Sequence, residues 1–315
     1  MSTEDQLDLM TIASWLYYEE GLNQEEISQE LSMNRVGVTR LLQKARNLGI
    51  IKFTITRPLP RDYETAREIE KRFGIKRAIV VPAHPDEEQT MDAIGKAGAQ
   101  FLEHSLFNGC KLGMAWSHTV SKIADHLNLI TPGRSIEIVE LAGTTLVSGV
   151  VYNITCRIAE MLSAPLNGMP VPVVVSNTEA REAILKEVNI SAALRAAASA
   201  DIALVGIGSM MEAGSIVQTG FMTEDEKADL SSRGIVGEIL MRFFDQDGRH
   251  VVTNLDDRVI GIQWEEMQGI PLIVGMVTGS TKLPAIIGSL RGKIIRVLIT
   301  DSRTAEEILR EDSAG

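Results

Sequence analysis

Apolar positions follow three rhythms along this chain: helical spacing at the start, a brief strict alternation, and then short aliphatic runs separated by further helical stretches. The first stretch, Gln6 to Glu20, puts Leu9, Ile12, Ala13, Leu16 and Tyr17 on one stripe, the pattern of an amphipathic helix. Gly21 is placed to end it. The second, Gln24 to Leu31, turns Ile27 and Leu31 inward, with Asn23 as its N-cap and Glu25 and Glu26 in a first turn that favours negative charge. After the turn Ser32-Met33-Asn34 a third helix is predicted from Arg35 to Leu48, with Val38, Leu41, Leu42 and Ala45 apolar and Gly49 as its stop. Ile51, Phe53 and Ile55 then alternate with Lys52, Thr54 and Thr56, which predicts a strand in the place of a wing.

Two short helices joined by a three-residue turn are the helix-turn-helix arrangement, whose second helix enters the DNA major groove with its N-terminal residues. Here that position holds Asn34, Arg35, Val36, Gly37, Thr39 and Arg40, with Lys44, Arg46 and Lys52 available to phosphates. No acidic side chain occurs from Arg35 to Arg57, although the formal net charge is -11. The acidic chain disfavours non-specific binding of nucleic acid over its whole surface; the basic segment supplies a local face. Similar spacing occurs in helical bundles with no DNA partner. The turn length, the segregated charge and the basic strand that follows favour DNA.

Arg57-Pro58-Leu59-Pro60-Arg61 makes a stiff joint, followed by an amphipathic helix from Asp62 to Phe73. The expected organisation is a DNA-binding domain at 1–57, a linker and connecting helix at 58–74, and an effector-binding and oligomerisation domain at 75–315. Strand-like runs fall at 78–82, 111–115, 136–141, 171–176, 201–208, 271–277 and 296–300. Helices are expected near 90–106, 118–128, 153–163, 179–187, 190–200, 223–232, 281–291 and 302–310. Continuous aliphatic strands between helices predict a doubly wound, mainly parallel α/β sheet.

Ligands of such sheets sit beyond the carboxyl ends of the strands. Those ends carry Trp116-Ser117-His118-Thr119, Gly143-Thr144-Thr145, Gly206-Ile207-Gly208-Ser209 and Gly279-Ser280-Thr281-Lys282. Small and hydroxylated loops at helix starts suit an anion, and Lys282 adds a point charge. A lysine in a first turn opposes the helix dipole unless an anion is present. Gly206 and Gly208 serve either a ligand or only tight turns, and His118 suits a helix start or packing better than a catalytic base.

The 315 residues suffice for about two domains. The acidic N-terminus has no signal-peptide order, and no apolar run is long enough for a membrane span. Cys110 and Cys156 lack metal spacing, and the five histidines form no HxxxH or HExxH pair. A cytoplasmic protein with no metal and no cofactor is expected.

WLYYEEGLNQEEISQELSMNRVGVTRLLQKARNLGII resembles the N-terminal domain of the SorC/DeoR-type sugar-binding transcription regulators. Ser28 stands at the family's usual alanine, Asn34 at its serine and Thr39 at its second serine. FFDQDGR (243–249), DRVIGI (257–262), GSTKLPAIIGSLRG (279–292), VLITDSRTAEEIL (297–309) and AWSHT (115–119) resemble that family's effector domain, so the likeness runs nearly the length of the chain. It implies a fold related to sugar-phosphate isomerases and deaminases used for sensing, a homotetramer, and double-stranded operator DNA as partner. It further implies that Asp245 hydrogen-bonds sugar hydroxyls, that Gly279 to Lys282 hold a phosphate or terminal hydroxyl, and that Trp116 to Thr119 line the pocket. Ser117 and Ser280 replace family glycines, which leaves the effector open between a phosphorylated sugar and an unphosphorylated polyol. The function implied is regulation of carbohydrate or polyol catabolism by such an effector. The alternative is an isomerase-type enzyme with an added N-terminal module. It would need a base near its ligand, and only His118 and Asp245 are candidates.

Overall fold

The computed structural model describes residues 3–51, 60–127, 135–144, 146–147, 150–151, 154–211 and 220–314. The chain divides into two compact units, Met1–Leu59 and Pro60–Gly315.

In the first unit three helices, α1 (Thr3–Tyr18), α2 (Gln24–Glu30) and α3 (Arg35–Asn47), enclose Ala13, Leu16, Ile27, Val38 and Leu42. Asn23 and Glu26 form a reciprocal capping box at the start of α2, satisfying N–H groups that a helix start leaves orphaned. Gly21 adopts φ +74°, a conformation that disfavours a side chain. The predicted wing strand, with Lys52 and Arg57, lies outside the described residues.

The second unit is built on a parallel sheet in the order β1-β12-β11-β7-β2-β3-β6. Its strands are β1 (Arg77–Val81), β2 (Cys110–Met114), β3 (Ile136–Glu140), β6 (Leu166–Asn167), β7 (Ile202–Val205), β11 (Leu272–Met276) and β12 (Val297–Asp301). Alternate residues face opposite sides, as the period of a strand requires. Ile202 and Leu204 enter one core with Ile94, Leu102 and Ile158 of α5 (Glu87–Ser105) and α7 (Ile154–Met161). Ala203 and Val205 enter the other with Ile69, Ile286 and Ile308 of α4 (Arg61–Phe73), α12 (Leu283–Arg291) and α13 (Ser302–Ala314). Helices therefore cover both faces, and the chain is doubly wound. After β2 it continues to β3 on one side; from β7 it continues to β11 on the other. The order reverses between β2 and β7, and their carboxyl ends open there. Helix α4 packs within this unit: Arg72 Nη1 donates to the Leu309 carbonyl at 2.7 Å, and the Ala78 N–H donates to Glu70 at 3.0 Å.

Three departures from the sequence pattern stand out. The run 171–176 forms only isolated bridges, Thr144 with Pro172 and Val174 with Val259, because Pro172 lacks the N–H a ladder needs. The run 201–208 stops at Val205, and Gly208–Ser209 (β8) crosses into a second, antiparallel sheet of order β10-β9-β8. The helix expected at 118–128 is a short turn, α6 (His118–Ser121), followed by 3-10 geometry over Lys122–Asp125. In the second sheet β9 (Ile235–Ile239) and β10 (Arg242–Asp245) are joined by Leu240 and Met241, both left-handed at φ 57° and 62°. Phe244 and Ile239 of this hairpin belong to the core under α12, whereas Phe243 and Met241 belong to a separate cluster with Val259.

Candidate functional site

The outer face of α3 carries Arg35, Val36, Thr39, Arg40 and Lys44, all exposed, while Val38, Leu42 and Ala45 point inward. Val36, although apolar, is 60% exposed. No acidic residue occupies the first turn of α3. Two predicted residues have structural duties: the Asn34 carboxamide oxygen accepts the Gly37 N–H at 2.7 Å as the N-cap of α3, and Arg46 Nη2 lies 3.4 Å from the Tyr18 hydroxyl, reaching towards α1. A Cβ on Gly37 would stand 3.3 Å from that capping oxygen, so the glycine leaves the cap undisturbed. The Thr39 hydroxyl sits between Gln24 Oε1 at 2.9 Å and the Arg35 carbonyl at 3.0 Å, linking α3 to α2.

In the second unit three of the four predicted loops, those after β2, β7 and β11, meet beside the reversal between β2 and β7. The Ser117 hydroxyl accepts the Val120 N–H at 3.3 Å, starting α6, and any Cβ on Gly206 would strike it. The loops after β2 and β7 are thus in direct contact because residue 206 has no side chain. Thr119 is buried and His118 points to solvent, which suits His118 to a helix start. The Ser209 hydroxyl donates to the Thr281 carbonyl at 2.8 Å and accepts the Met211 N–H at 3.1 Å, joining the loop after β7 to the one after β11. Gly279 has φ +108° and begins the 3-10 turn Ser280–Lys282 that leads into α12. Trp116 is half-buried beside Ser117.

Glu238 was invisible to sequence reasoning. It sits in β9 opposite Gly208, and a Cβ on Gly208 would collide with its carboxylate. Burial pushes the Glu238 carboxyl above the usual range, more than the Met241 N–H and the Lys282 charge lower it. No glycine, proline or asparagine stands at the turn of the hairpin that carries it, Leu240–Met241, so its neighbourhood is not legible in the sequence.

Gly143 and Thr144 have their N–H groups committed to Ile260 and Val171, at 2.9 and 2.7 Å. Gly143 is held so close to the Pro172 backbone that a Cβ would lie 2.9 Å from it. Thr145 lies outside the described residues. Asp245 is not brought to the cradle. Its Oδ1 accepts the N–H groups of Asp247 and Arg249, each at 2.9 Å, and the turn it builds seats Gly248 against Gly288 and Gly292, at the end of α12 remote from Lys282. A second buried polar group lies on the same hairpin: Arg242, 1% exposed, pairs with Asp256 at 2.8 Å. Burial would raise the Asp256 carboxyl, but the Thr253 N–H and Arg242 hold it below the usual range. Among the described residues no cluster of His, Cys, Asp and Glu could hold a metal, and no helix is long and apolar enough to cross a membrane.

The chain is similar to known proteins along nearly its whole length. Residues 57–310 match the family model described as "Putative sugar-binding domain". The sorbitol operon regulator of Klebsiella pneumoniae is 28% identical, over 98% of this chain and 100% of its own. Transcriptional regulator LsrR of Klebsiella pneumoniae is 30% identical, over 96% of this chain and 93% of its own. The crystal structure of the full-length sorbitol operon regulator SorC from Klebsiella pneumoniae matches at a TM-score of 0.75 and 27% identity, covering 96% of this chain and 98% of that one. These relatives are transcriptional regulators, and they give the isomerase alternative no support. With its motifs, its sugar-binding domain and its full-length relatives in agreement, the chain belongs to the SorC/DeoR-type family of sugar-binding transcriptional regulators.

Proposed function

We propose that this protein binds operator DNA through α3 and regulates genes of carbohydrate or polyol catabolism in response to a small sugar, polyol or sugar phosphate. The observation that carries the effector half is the convergence of three loops where the strand order reverses. Ser117 touches Gly206, and Ser209 is bonded to Thr281, at the position where open α/β sheets receive ligands. Residues 1–57 serve DNA binding, 58–74 connect, and 75–315 bind the effector and oligomerise.

Arg35 and Arg40 supply base-edge or phosphate contacts, Lys44 a phosphate contact, and Val36 an apolar one. Trp116, Ser117, Gly208 and Gly279 to Lys282 receive the effector, with Lys282 on its most negative group. Gating follows from linkage: the effector binds one conformation better and shifts the population competent for DNA. A coupling of about 1–3 kcal/mol changes DNA affinity by about 5–150-fold. Assembly as a homotetramer belongs to the same reading and requires paired half-sites about one or more helical turns apart; light scattering of the purified chain tests it.

The experiment is fluorescence anisotropy of the purified protein on DNA flanking its own gene, at fixed salt, with a panel of sugars, polyols and their phosphates. Binding that one compound shifts supports the reading, with the shift lost in Lys282→Ala while DNA binding survives. Failure to bind any fragment overturns the DNA half. A normal response in Lys282→Ala overturns the anion cradle.

A further inference from the structure

Thr278, Asp301 and Thr304 lie beside the candidate effector loop and have no part in the reading so far. All three are buried, Asp301 and Thr304 to 2% exposure. The two carboxylate oxygens of Asp301 divide their work. Oδ1 accepts the N–H groups of Arg303 and Thr304 at 3.0 and 3.1 Å, capping α13. Oδ2 accepts the hydroxyls of Thr278 and Thr304, each at 2.6 Å. The Thr304 hydroxyl, with its proton committed to Asp301, presents a lone pair outward and accepts the Gly279 N–H at 3.1 Å. Gly279 is the left-handed residue that opens the loop, and Ser209 holds the same loop at Thr281 from the other side.

We propose that Thr304, oriented by Asp301, is a positioning residue that presets the loop Gly279 to Lys282 for the effector. The proposal rests on the assignment of that loop to the effector site. Capping alone does not account for the arrangement, because the cap uses Oδ1 and backbone N–H groups, whereas the bond to Gly279 uses a side-chain oxygen that contributes nothing to the helix. One consequence is that the Gly279 N–H is spent inside the protein, so an anion is left to groups further along the loop.

The test uses the full chain and follows amide hydrogen exchange across 279–282 during titration with inorganic phosphate, D-sorbitol and D-sorbitol 6-phosphate. The expected result is that at least one probe slows exchange in the wild type. Thr304→Val, near-isosteric and still able to cap through its N–H, should speed exchange at Gly279 without probe. It should also need about tenfold more probe, the effect of losing one buried hydrogen bond. Thr304→Ser should stay close to wild type, and exchange in the body of α13 should not change. Should Thr304→Val not fold, Thr304→Cys, a much weaker acceptor, carries the test in the same direction. Equal probe affinity in wild type and Thr304→Val overturns the positioning role. No probe slowing exchange in the wild type overturns instead the site assignment beneath it, so the two failures are distinguishable.

Discussion

On α3 the candidate recognition residues Arg35, Arg40 and Lys44 stand in solvent and carry little of the fold. At the carboxyl end of the sheet, by contrast, Ser117 begins a helix and abuts Gly206, Ser209 ties two loops, and Thr304 is bonded to both Asp301 and Gly279. In the reading proposed above, the first surface would meet a long polyanion, where many weak and screened contacts add up. The second would hold a few polar groups at fixed separations around a small molecule. It does so with backbone and hydroxyl groups bonded to one another, at the cost of tolerance to substitution. Charge on the helix is expected to be separable from stability; polarity at the sheet end is not.

The largest test of that contrast is Asp256→Ala, which leaves the Arg242 charge buried without its partner. It should cost about 3–5 kcal/mol in urea unfolding. Because the folded Asp256 carboxyl lies below its ordinary value, its contribution is present at neutral pH and is lost as pH falls through that lowered value. The acid limb of the stability curve should flatten in the variant. Next, Gly206→Ala drives a Cβ into Ser117 and should cost about 1–3 kcal/mol as an overpacked contact. Adding Ser117→Gly should restore most of it, a non-additivity that a double-mutant cycle measures. Asn34→Ala removes the α3 cap and should cost about 1 kcal/mol, read as a lower unfolding midpoint. Smallest in stability is Arg40→Ala, within about 0.5 kcal/mol of wild type. Its effect belongs to DNA, where the slope of log affinity against log salt should fall by about one if Arg40 meets a phosphate. A large loss of stability from Arg40→Ala, or none from Gly206→Ala, would break the contrast.

The same contrast explains what could be read from the sequence. The face of α3 was legible because helical spacing sorts exposed from buried residues and charge is visible in one dimension. The strands from Cys110, Ile136, Leu272 and Val297 were legible as aliphatic runs. The hairpin around Glu238 was not, because Leu240 and Met241 carry none of the usual turn residues. The valines from Val171 predict a strand that Pro172 interrupts. In FFDQDGR the aspartate looked like a ligand group, yet Asp245 closes its own turn. The Asp301 cluster joins residues 23 positions apart, a pairing that only the adjacency of β11 and β12 creates.

The hairpin that turns at Leu240 and Met241 has one more consequence. Left-handed geometry costs about 1–2 kcal/mol for each non-glycine residue, and the burial of Met241 and partial burial of Leu240 offset it. These two neighbours are buried in different cores, as are Phe243 and Phe244. Neither core can loosen without withdrawing a strand from the other. Residues 60–315 should therefore melt in a single calorimetric transition, with no partly folded species in which only one of the two cores has come apart.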